Sequence, residues 1–126
     1  MQREKCPCCG FPTLEQRTIF DICELCNWED DGQDDLNADE VWGGPNGDYS
    51  LTEARRNFKE NFIMYRDKRN ILKQTEKELE TKKSLISAFV ELDKCKPDSS
   101  EYKSLWSKIK SYEKNLYEIV YGEIER

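Results

Sequence analysis

Four of the six cysteines in this 126-residue sequence lie in two C-x-x-C pairs. The first pair is Cys6 and Cys9, and the second pair is Cys23 and Cys26. A C-x-x-C turn directs both of its sulfur atoms toward one point, so two such turns supply four thiolates at tetrahedral geometry. The spacing therefore predicts one structural metal site with Cys6, Cys9, Cys23 and Cys26 as its ligands.

The kind of metal follows from the residue types that are present. The sequence contains no histidine, which excludes mixed Cys and His ligand sets as well as Ser-His-Asp and Cys-His catalytic arrangements. A shell of four thiolates accepts either zinc or iron. We therefore expect one structural zinc ion, with iron in a rubredoxin-like site as the alternative, and no enzymatic activity.

The other two cysteines, Cys8 and Cys95, are not needed by this ligand set. Cys8 lies inside the first C-x-x-C pair, where we interpret it as a spare thiol near the metal that is either inert or oxidisable. A catalytic role for Cys8 is disfavoured because no histidine is present to activate it. Cys95 stands alone and is interpreted as a packing residue.

Residues 1–49 are predicted to form a zinc-ribbon-like module with four cysteine ligands, together with the acidic loop that follows it. Short stretches rich in β-branched and aromatic residues at 13–15 and 18–22 predict a two-stranded hairpin that turns between them. Such a hairpin is marginal alone, and a metal would add roughly 10–16 kcal/mol of stability. Trp28 is expected to pack on this hairpin as a lid on a small core.

A strongly acidic segment follows the second cysteine pair, because residues 29–48 carry eight acidic residues and no basic residue. A solvated loop is one interpretation, and a docking surface for a basic partner is another, since localised charge accelerates encounter. Calcium binding is disfavoured because the spacing does not match an EF-hand loop. The candidate partner-binding residues are Asp30, Asp31, Asp34, Asp35, Asp39, Glu40 and Trp42.

The remainder of the chain, residues 50–126, is predicted to be helical. A capping box at 50–53 begins a helix over about 51–93. Apolar residues recur at three- and four-residue spacing along its first part. The pattern leaves open whether this helix is continuous or broken near 65–69.

Pro97 ends this helical segment, and Asp98 or Ser99 is expected to cap the next helix. That helix covers about 99–124 and has an apolar stripe that is rich in aromatic residues. A short connection between two long amphipathic helices implies an antiparallel hairpin. The predicted fold class is α+β, mostly α: the four-cysteine module, the acidic loop and then a long helical hairpin.

Several short motifs occur in order along the first half of the chain. They are Cys-Pro-Cys-Cys-Gly at 6–10, Cys-x-x-Cys-x-Trp-Glu-Asp-Asp-Gly at 23–32, Gly-Gly-Pro-Asn-Gly at 43–47 and Ser-Leu-x-Glu-Ala-Arg-x-Asn-Phe at 50–58. In these motifs the chain resembles the bacterial CPCC cysteine-rich family over about residues 6–62. The resemblance implies a small bacterial cytoplasmic protein with a metal site and implies no settled activity. The helical extension from residue 66 departs from the family pattern.

Composition limits the classes of partner. The net charge of −6, with 37% charged residues, disfavours general binding to nucleic acid. No stretch approaches the roughly 18 consecutive apolar residues of a membrane span. The N-terminal residues lack the apolar core of a signal peptide, so we expect a cytoplasmic location with reduced thiols.

The leading functional hypothesis is a non-enzymatic protein-binding module stabilised by a structural metal. Small acidic bacterial proteins of this build resemble immunity proteins or antitoxins, which cover the basic active site of a nuclease toxin. The first alternative is a zinc ribbon that binds nucleic acid or acts in transcription; it needs a basic patch near the cysteine turns, where residues 1–28 offer only Arg3, Lys5 and Arg17 against four acidic residues. Arg55, Arg56 and Lys59 could form a separate basic face for nucleic acid on the first helix, but we expect them to pair internally instead. The second alternative is a thiol redox sensor that uses Cys8, and the aromatic last helix would also suit self-association into a homo-oligomer.

Overall fold

Four α-helices and one two-stranded antiparallel sheet make up the regular structure in a computed structural model of the chain, which describes residues 2–122. The elements are β1 (Glu4–Lys5), β2 (Pro12–Leu14), α1 (Leu51–Asn61), α2 (Lys68–Lys73), α3 (Glu76–Asp93) and α4 (Ser100–Tyr121). The predicted class, α+β and mostly α, is confirmed. None of the described helices combines the length and the apolar character needed to cross a bilayer.

The chain divides into two compact units, which we call the Cys unit (Gln2–Lys73) and the hairpin unit (from Gln74). The sequence pattern alone places the boundary between residues 49 and 50. In the structure the boundary falls later in the chain, because α1 and the segment after it form hydrogen bonds with the cysteine turns. Arg55 Nε donates to the carbonyl of Pro7 at 2.8 Å, and the amide of Met64 donates to the carbonyl of Cys26 at 2.9 Å.

The predicted pairing of 13–15 with 18–22 is wrong. Strand β2 instead pairs with β1, which precedes the first cysteine pair, with Glu4 opposite Leu14 and Lys5 opposite Pro12. On the other side of the site, Ile22 forms an isolated antiparallel bridge with Glu29. Each C-x-x-C turn is thus a small hairpin of its own, because the turn reverses the chain and brings its two flanks together.

The acidic segment is an irregular loop held by buried amide side chains rather than by a sheet. Gln33 is fully buried, and its Nε2 donates to the carbonyls of Asn37 and Glu40 at 3.1 and 2.8 Å. Asn46 donates to the carbonyl of Glu29 at 2.7 Å and accepts from its amide at 3.1 Å. These bonds satisfy backbone groups that would otherwise be buried without partners.

The Gly-Gly-Pro-Asn-Gly turn aims Asn46 at this loop. Gly43, Gly44 and Gly47 have φ values of 75°, 63° and 57°, which only glycine adopts without steric cost. The three residues Gly44–Asn46 form a single 3₁₀ turn. The segment is therefore a tight bend that depends on its glycines.

Helix α1 begins and ends with local caps. The hydroxyl of Ser50 accepts from the amide of Glu53 at 3.1 Å, as predicted. The second half of the predicted capping box is not formed, because the Glu53 carboxylate accepts from Arg66 Nη1 at 3.0 Å instead. Phe62 ends the helix with a left-handed φ of 62°, and the buried face carries Leu51, Ala54 and Phe58.

The predicted helix over 51–93 is therefore three helices, α1, α2 and α3. The first interruption covers residues 62–67, close to the predicted break, and the second falls at 74–75. Thr75 accepts from the amide of Glu78 at 3.1 Å and so starts a new helix.

The hairpin unit is built from α3 and α4, which bury an apolar seam between them. Phe89 and Trp106 meet edge to face with ring centroids 6.4 Å apart. Ile109 and Leu116 continue the seam along α4. The hydroxyl of Ser99 accepts from the amide of Tyr102 and caps α4, which decides between the two predicted capping residues. Ile124, which the predicted helix included, lies outside the described residues.

Candidate metal centre

The sulfur atoms of Cys6, Cys9, Cys23 and Cys26 all lie within 4.8 Å of one another. Two of the separations, Cys6 to Cys26 and Cys9 to Cys23, are 3.7 Å. Four sulfurs that each lie about 2.3 Å from one metal ion at tetrahedral angles are separated by about 3.8 Å. The cluster therefore has the spacing of a four-thiolate metal site, and the structure brings the four predicted ligands together.

The first C-x-x-C turn is closed by two backbone hydrogen bonds. The amide of Cys6 donates to the carbonyl of Phe11 at 2.9 Å, and the amide of Gly10 donates to the carbonyl of Cys6 at 2.8 Å. Gly10 has a φ of 81°, as expected for the left-handed exit from such a turn. The turn is thus locked by groups that lie close together in the sequence.

The second turn repeats this geometry. The amide of Cys23 donates to the carbonyl of Trp28 at 2.9 Å, and the amide of Asn27 donates to the carbonyl of Cys23 at 2.8 Å. Asn27 has a φ of 73° and takes the place of Gly10, since asparagine tolerates the left-handed region better than most residues. Sequence reasoning missed Asn27, although its position directly after the second cysteine of the pair was a signal.

Two further groups donate to the sulfurs. The hydroxyl of Thr13 donates to Cys23 Sγ at 3.0 Å, and the amide of Trp28 donates to Cys26 Sγ at 3.4 Å. Donors of this kind stabilise thiolates and so support metal ligation. Sequence reasoning assigns Thr13 only to a strand, and no pattern marks it as a site residue. Trp28 is fully buried, as the prediction of a lid on a small core requires.

Crowding in the cluster separates the pKa values of the Cys9, Cys23 and Cys26 thiols. Burial, together with the hydrogen bond to Cys23, raises the pKa of the Cys26 thiol, and the hydrogen bond to Cys23 raises the pKa of Cys9. Burial also opposes ionisation of Cys23, but hydrogen bonds from the other three thiols and Thr13 lower its pKa well below the ordinary value. A bound cation would favour the thiolate form of the clustered sulfurs.

Cys8 lies against the cluster but outside the set of four. Its thiol is buried, and its hydrogen bond contributes to the raised pKa of Cys26. In the second turn the equivalent position is Leu25, which is also buried. This correspondence indicates that Cys8 fills a packing position. Cys95 belongs to the hairpin unit, where it is half-buried and its thiol lies 3.5 Å from the carbonyl of Glu91.

Among the candidate partner-binding residues, Asp30 is not on the surface. Its side chain has 0% exposure. It accepts from Arg17 Nε at 2.8 Å, from the amide of Thr18 at 2.7 Å and from the amide of Gly32 at 3.2 Å. Asp30 therefore joins two segments of the Cys unit, and the proposed partner surface does not include it.

The acidic side chains at 34 and 35 are exposed but paired. Asp34 contacts Arg17 Nη1 at 3.0 Å, and this guanidinium lowers the pKa of the Asp34 carboxyl. Asp35 contacts Arg55 Nη2 at 2.8 Å. Asp31, by contrast, accepts from neutral groups, including the amide of Gln33 at 3.0 Å. The charge of the acidic segment is thus partly neutralised within the Cys unit.

The last three candidate residues lie near the surface. The carboxylate of Asp39 accepts from the hydroxyl of Thr52. Glu40 accepts from the indole Nε1 of Trp42 at 3.2 Å. The Trp42 side chain is 46% exposed, which is a large fraction for an indole ring. Trp42 therefore meets the basic requirement of a partner-binding residue, which is access to solvent.

The fold and the cluster together define a cysteine-rich module with a candidate structural metal site. Residues 4–78 match the family described as Cysteine-rich CPCC, a wider span than the resemblance at 6–62 suggested. This match covers more than half of the chain, so the chain belongs to the cysteine-rich CPCC family. Most of the hairpin unit lies outside the match. No curated protein and no solved structure matches the chain.

Proposed function

We propose that this chain is a non-enzymatic protein-binding module whose Cys unit is stabilised by one structural zinc ion. The observation that carries the proposal is the direct connection between the cysteine cluster and the acidic segment. Glu29 bridges Ile22 just outside the second C-x-x-C turn, and Asn46 binds both backbone groups of Glu29. A metal that fixes this turn would therefore also fix the position of the acidic segment.

The partner in this proposal is a basic protein, and the functional class is that of an immunity protein or antitoxin that blocks a nuclease toxin. Residues 29–48 include eight acidic residues and no basic residue, which supports a partner of positive charge. Localised charge raises the association rate and disfavours partners of like charge. Within this proposal, the exposed carboxylates attract the partner, and the metal keeps the surface in one shape before binding.

Affinity capture with the zinc-loaded chain tests this proposal. We expect capture from its native cell extract to retain a basic protein, whose purified form binds the chain more weakly as salt rises. If it is a nuclease, the chain should inhibit it. Chelation under reducing conditions should abolish binding. Asp34→Asn with Asp35→Asn should slow association, whereas Glu101→Gln with Glu118→Gln on exposed positions of α4 is the matched control for lost charge.

Binding that survives complete removal of the metal would contradict the structural role of the ion. Retention of nucleic acid instead of a protein would favour the zinc-ribbon alternative. One observation supports that alternative: Arg56 and Lys59 are exposed and make no ion pair with the described residues 2–122, whereas Arg55 is paired as predicted. Mobility shifts of short duplex and single-stranded probes at low salt, with Arg56→Gln and Lys59→Gln as the test variant, decide between the two.

A further inference from the structure

Five large apolar side chains of the Cys unit face solvent in two short segments, and we call them the apolar edge. They are Ile19, Phe20, Ile22, Val41 and Trp42, with exposures of 55%, 56%, 52%, 56% and 46%. Single exposed apolar residues are common on protein surfaces. Several exposed apolar residues on adjacent segments of the chain indicate an interaction surface.

The segments that carry the apolar edge are connected by hydrogen bonds and ring packing. The amide of Phe20 donates to the carbonyl of Asp30 at 3.0 Å, and the amide of Asp30 donates to the carbonyl of Asp21 at 3.0 Å. Residues 18–22 and 29–32 thus run side by side. A Cβ placed on Gly32 would lie 3.8 Å from the Trp42 ring and 3.6 Å from the Thr18 methyl group. Trp42 therefore lies beside the Gly32 end of this pair.

Residues 18–22 and 29–32 are held in place by buried groups. Asp30 is fully buried and joins residues 17 and 18 to residue 32 through its carboxylate. Ile22 lies directly before Cys23 of the metal site and pairs with Glu29. The apolar edge is thus preorganised, which lowers the entropic cost of binding a partner.

The charge around the apolar edge is mainly negative, and the guanidinium of Arg17 beside it is paired with Asp30 and Asp34. Residues 18–54 hold eleven acidic residues and no Lys or Arg. Glu29 lies opposite Ile22, and Glu40 accepts from the indole of Trp42. Asp21 stands between Phe20 and Ile22 in sequence and accepts from the backbone amide of Glu15 at 2.9 Å. The rim of the apolar edge therefore carries a net negative charge.

We propose that the apolar edge docks a protein segment in which aromatic or aliphatic residues stand beside Lys or Arg. This inference rests on the proposed function, because it takes the partner to be a protein, and it names the surface and the kind of segment. Phe20 and Trp42 become buried when the segment binds and provide most of the affinity, as aromatic residues do at interfaces. The acidic rim selects the basic residues and speeds encounter.

The same rim argues against other occupants. A second copy of the chain would place two negative rims against each other, which is repulsive. An anionic lipid surface would be repelled in the same way. A basic, apolar protein segment is the occupant for which both the apolar residues and the charge are complementary.

Selection from a random-peptide display library on the zinc-loaded full chain tests the proposal. We expect enriched peptides to combine Lys or Arg with aromatic or aliphatic residues. Their affinity should fall at least tenfold for the chain with Phe20→Ser and Trp42→Ser. The matched control is Val90→Ser with Val120→Ser, which removes two exposed apolar side chains of the hairpin unit (43% and 41% exposed) and should leave the affinity unchanged.

Zinc content and amide spectra must be the same in both variants and in the original chain. Enrichment of peptides without basic residues, no enrichment at all, or equal binding by the Phe20 and Trp42 variant would overturn the proposal. Sedimentation that reveals a dimer lost in this variant would assign the apolar edge to a second copy instead. If the captured basic partner binds this variant normally but still requires the metal, the docking surface is wrong while the proposed function stands.

Discussion

In the Cys unit, buried amide and carboxylate side chains bond to the backbone of irregular loops, whereas in the hairpin unit two helices bury an apolar seam. Gln33 and Asn46 each satisfy two backbone groups, and Asp30 satisfies two amides and one guanidinium. In the hairpin unit, Phe89 and Trp106 pack within the seam. The structure of the Cys unit depends on individual polar side chains, and that of the hairpin unit depends on apolar residues that repeat at the helical period.

This difference has consequences for stability. The Cys unit is small and has little regular structure, so its loops need additional cross-links, for which a metal is suited. A helical hairpin distributes its stability over many similar contacts and over its caps. The effects of substitutions in the two units on stability should therefore differ in size, and only those in the Cys unit should affect metal binding.

The largest effect is expected from removal of the metal. Cys26→Ser should abolish zinc binding and unfold the Cys unit, because a structural site of four thiolates contributes roughly 10–16 kcal/mol to folding in small zinc modules. Metal analysis and amide hydrogen exchange measure the two effects. The amides of α1 should lose protection, while those of α3 and α4 keep theirs.

Cys8→Ser is the control for this experiment, because it removes a thiol that lies outside the set of four. It should keep one metal ion per chain. Retention of metal and of α1 protection in the Cys26 variant would contradict the assignment of the ligands.

A smaller but still large effect is expected within the hairpin unit. Trp106→Ala removes the ring that meets Phe89 and should lower the free energy of unfolding by about 3–5 kcal/mol. The zinc content should not change, because Trp106 belongs to the other unit. Loss of α3 and α4 protection with full zinc content would confirm that the hairpin unit can unfold without the Cys unit. Loss of zinc would contradict this.

A buried carboxylate of the Cys unit provides the next test. Asp30→Asn leaves Arg17 without its buried partner and places an amide group against backbone donors, so we expect a loss of about 2 kcal/mol. Asp35→Asn, in the exposed pair with Arg55, should change stability by less than about 1 kcal/mol. Thermal unfolding followed by tryptophan fluorescence measures both. Equal effects would mean that the burial of Asp30 does not matter.

The smallest effect is expected from a helix cap. Ser99→Ala removes the acceptor for the amide of Tyr102 and should cost the hairpin unit about 1 kcal/mol. Ser99→Asn should restore most of this loss, because asparagine is also a good capping residue. A loss from Ser99→Ala that asparagine does not rescue would point to packing rather than capping.

The family membership, the four clustered cysteines and the caps at Ser50 and Ser99 could be predicted from the sequence. These features depend on groups that lie close together along the chain, such as the two cysteines of a C-x-x-C turn or a hydroxyl and an amide three residues apart. The apolar stripe of α4 was predictable for the same reason, since its residues repeat at the helical period.

The pairing of the strands, the burial of Asp30 and the contacts of Thr13 and Asn46 were decided only by the tertiary structure. In each case the deciding factor is which backbone and sulfur groups are left without partners once the two cysteine turns have folded. Asp30 and Asp35 are both acidic residues of one segment, yet one is a buried structural group and the other an exposed ion pair. The sequence determined which residues were available, and the folded turns decided which of them had to be buried.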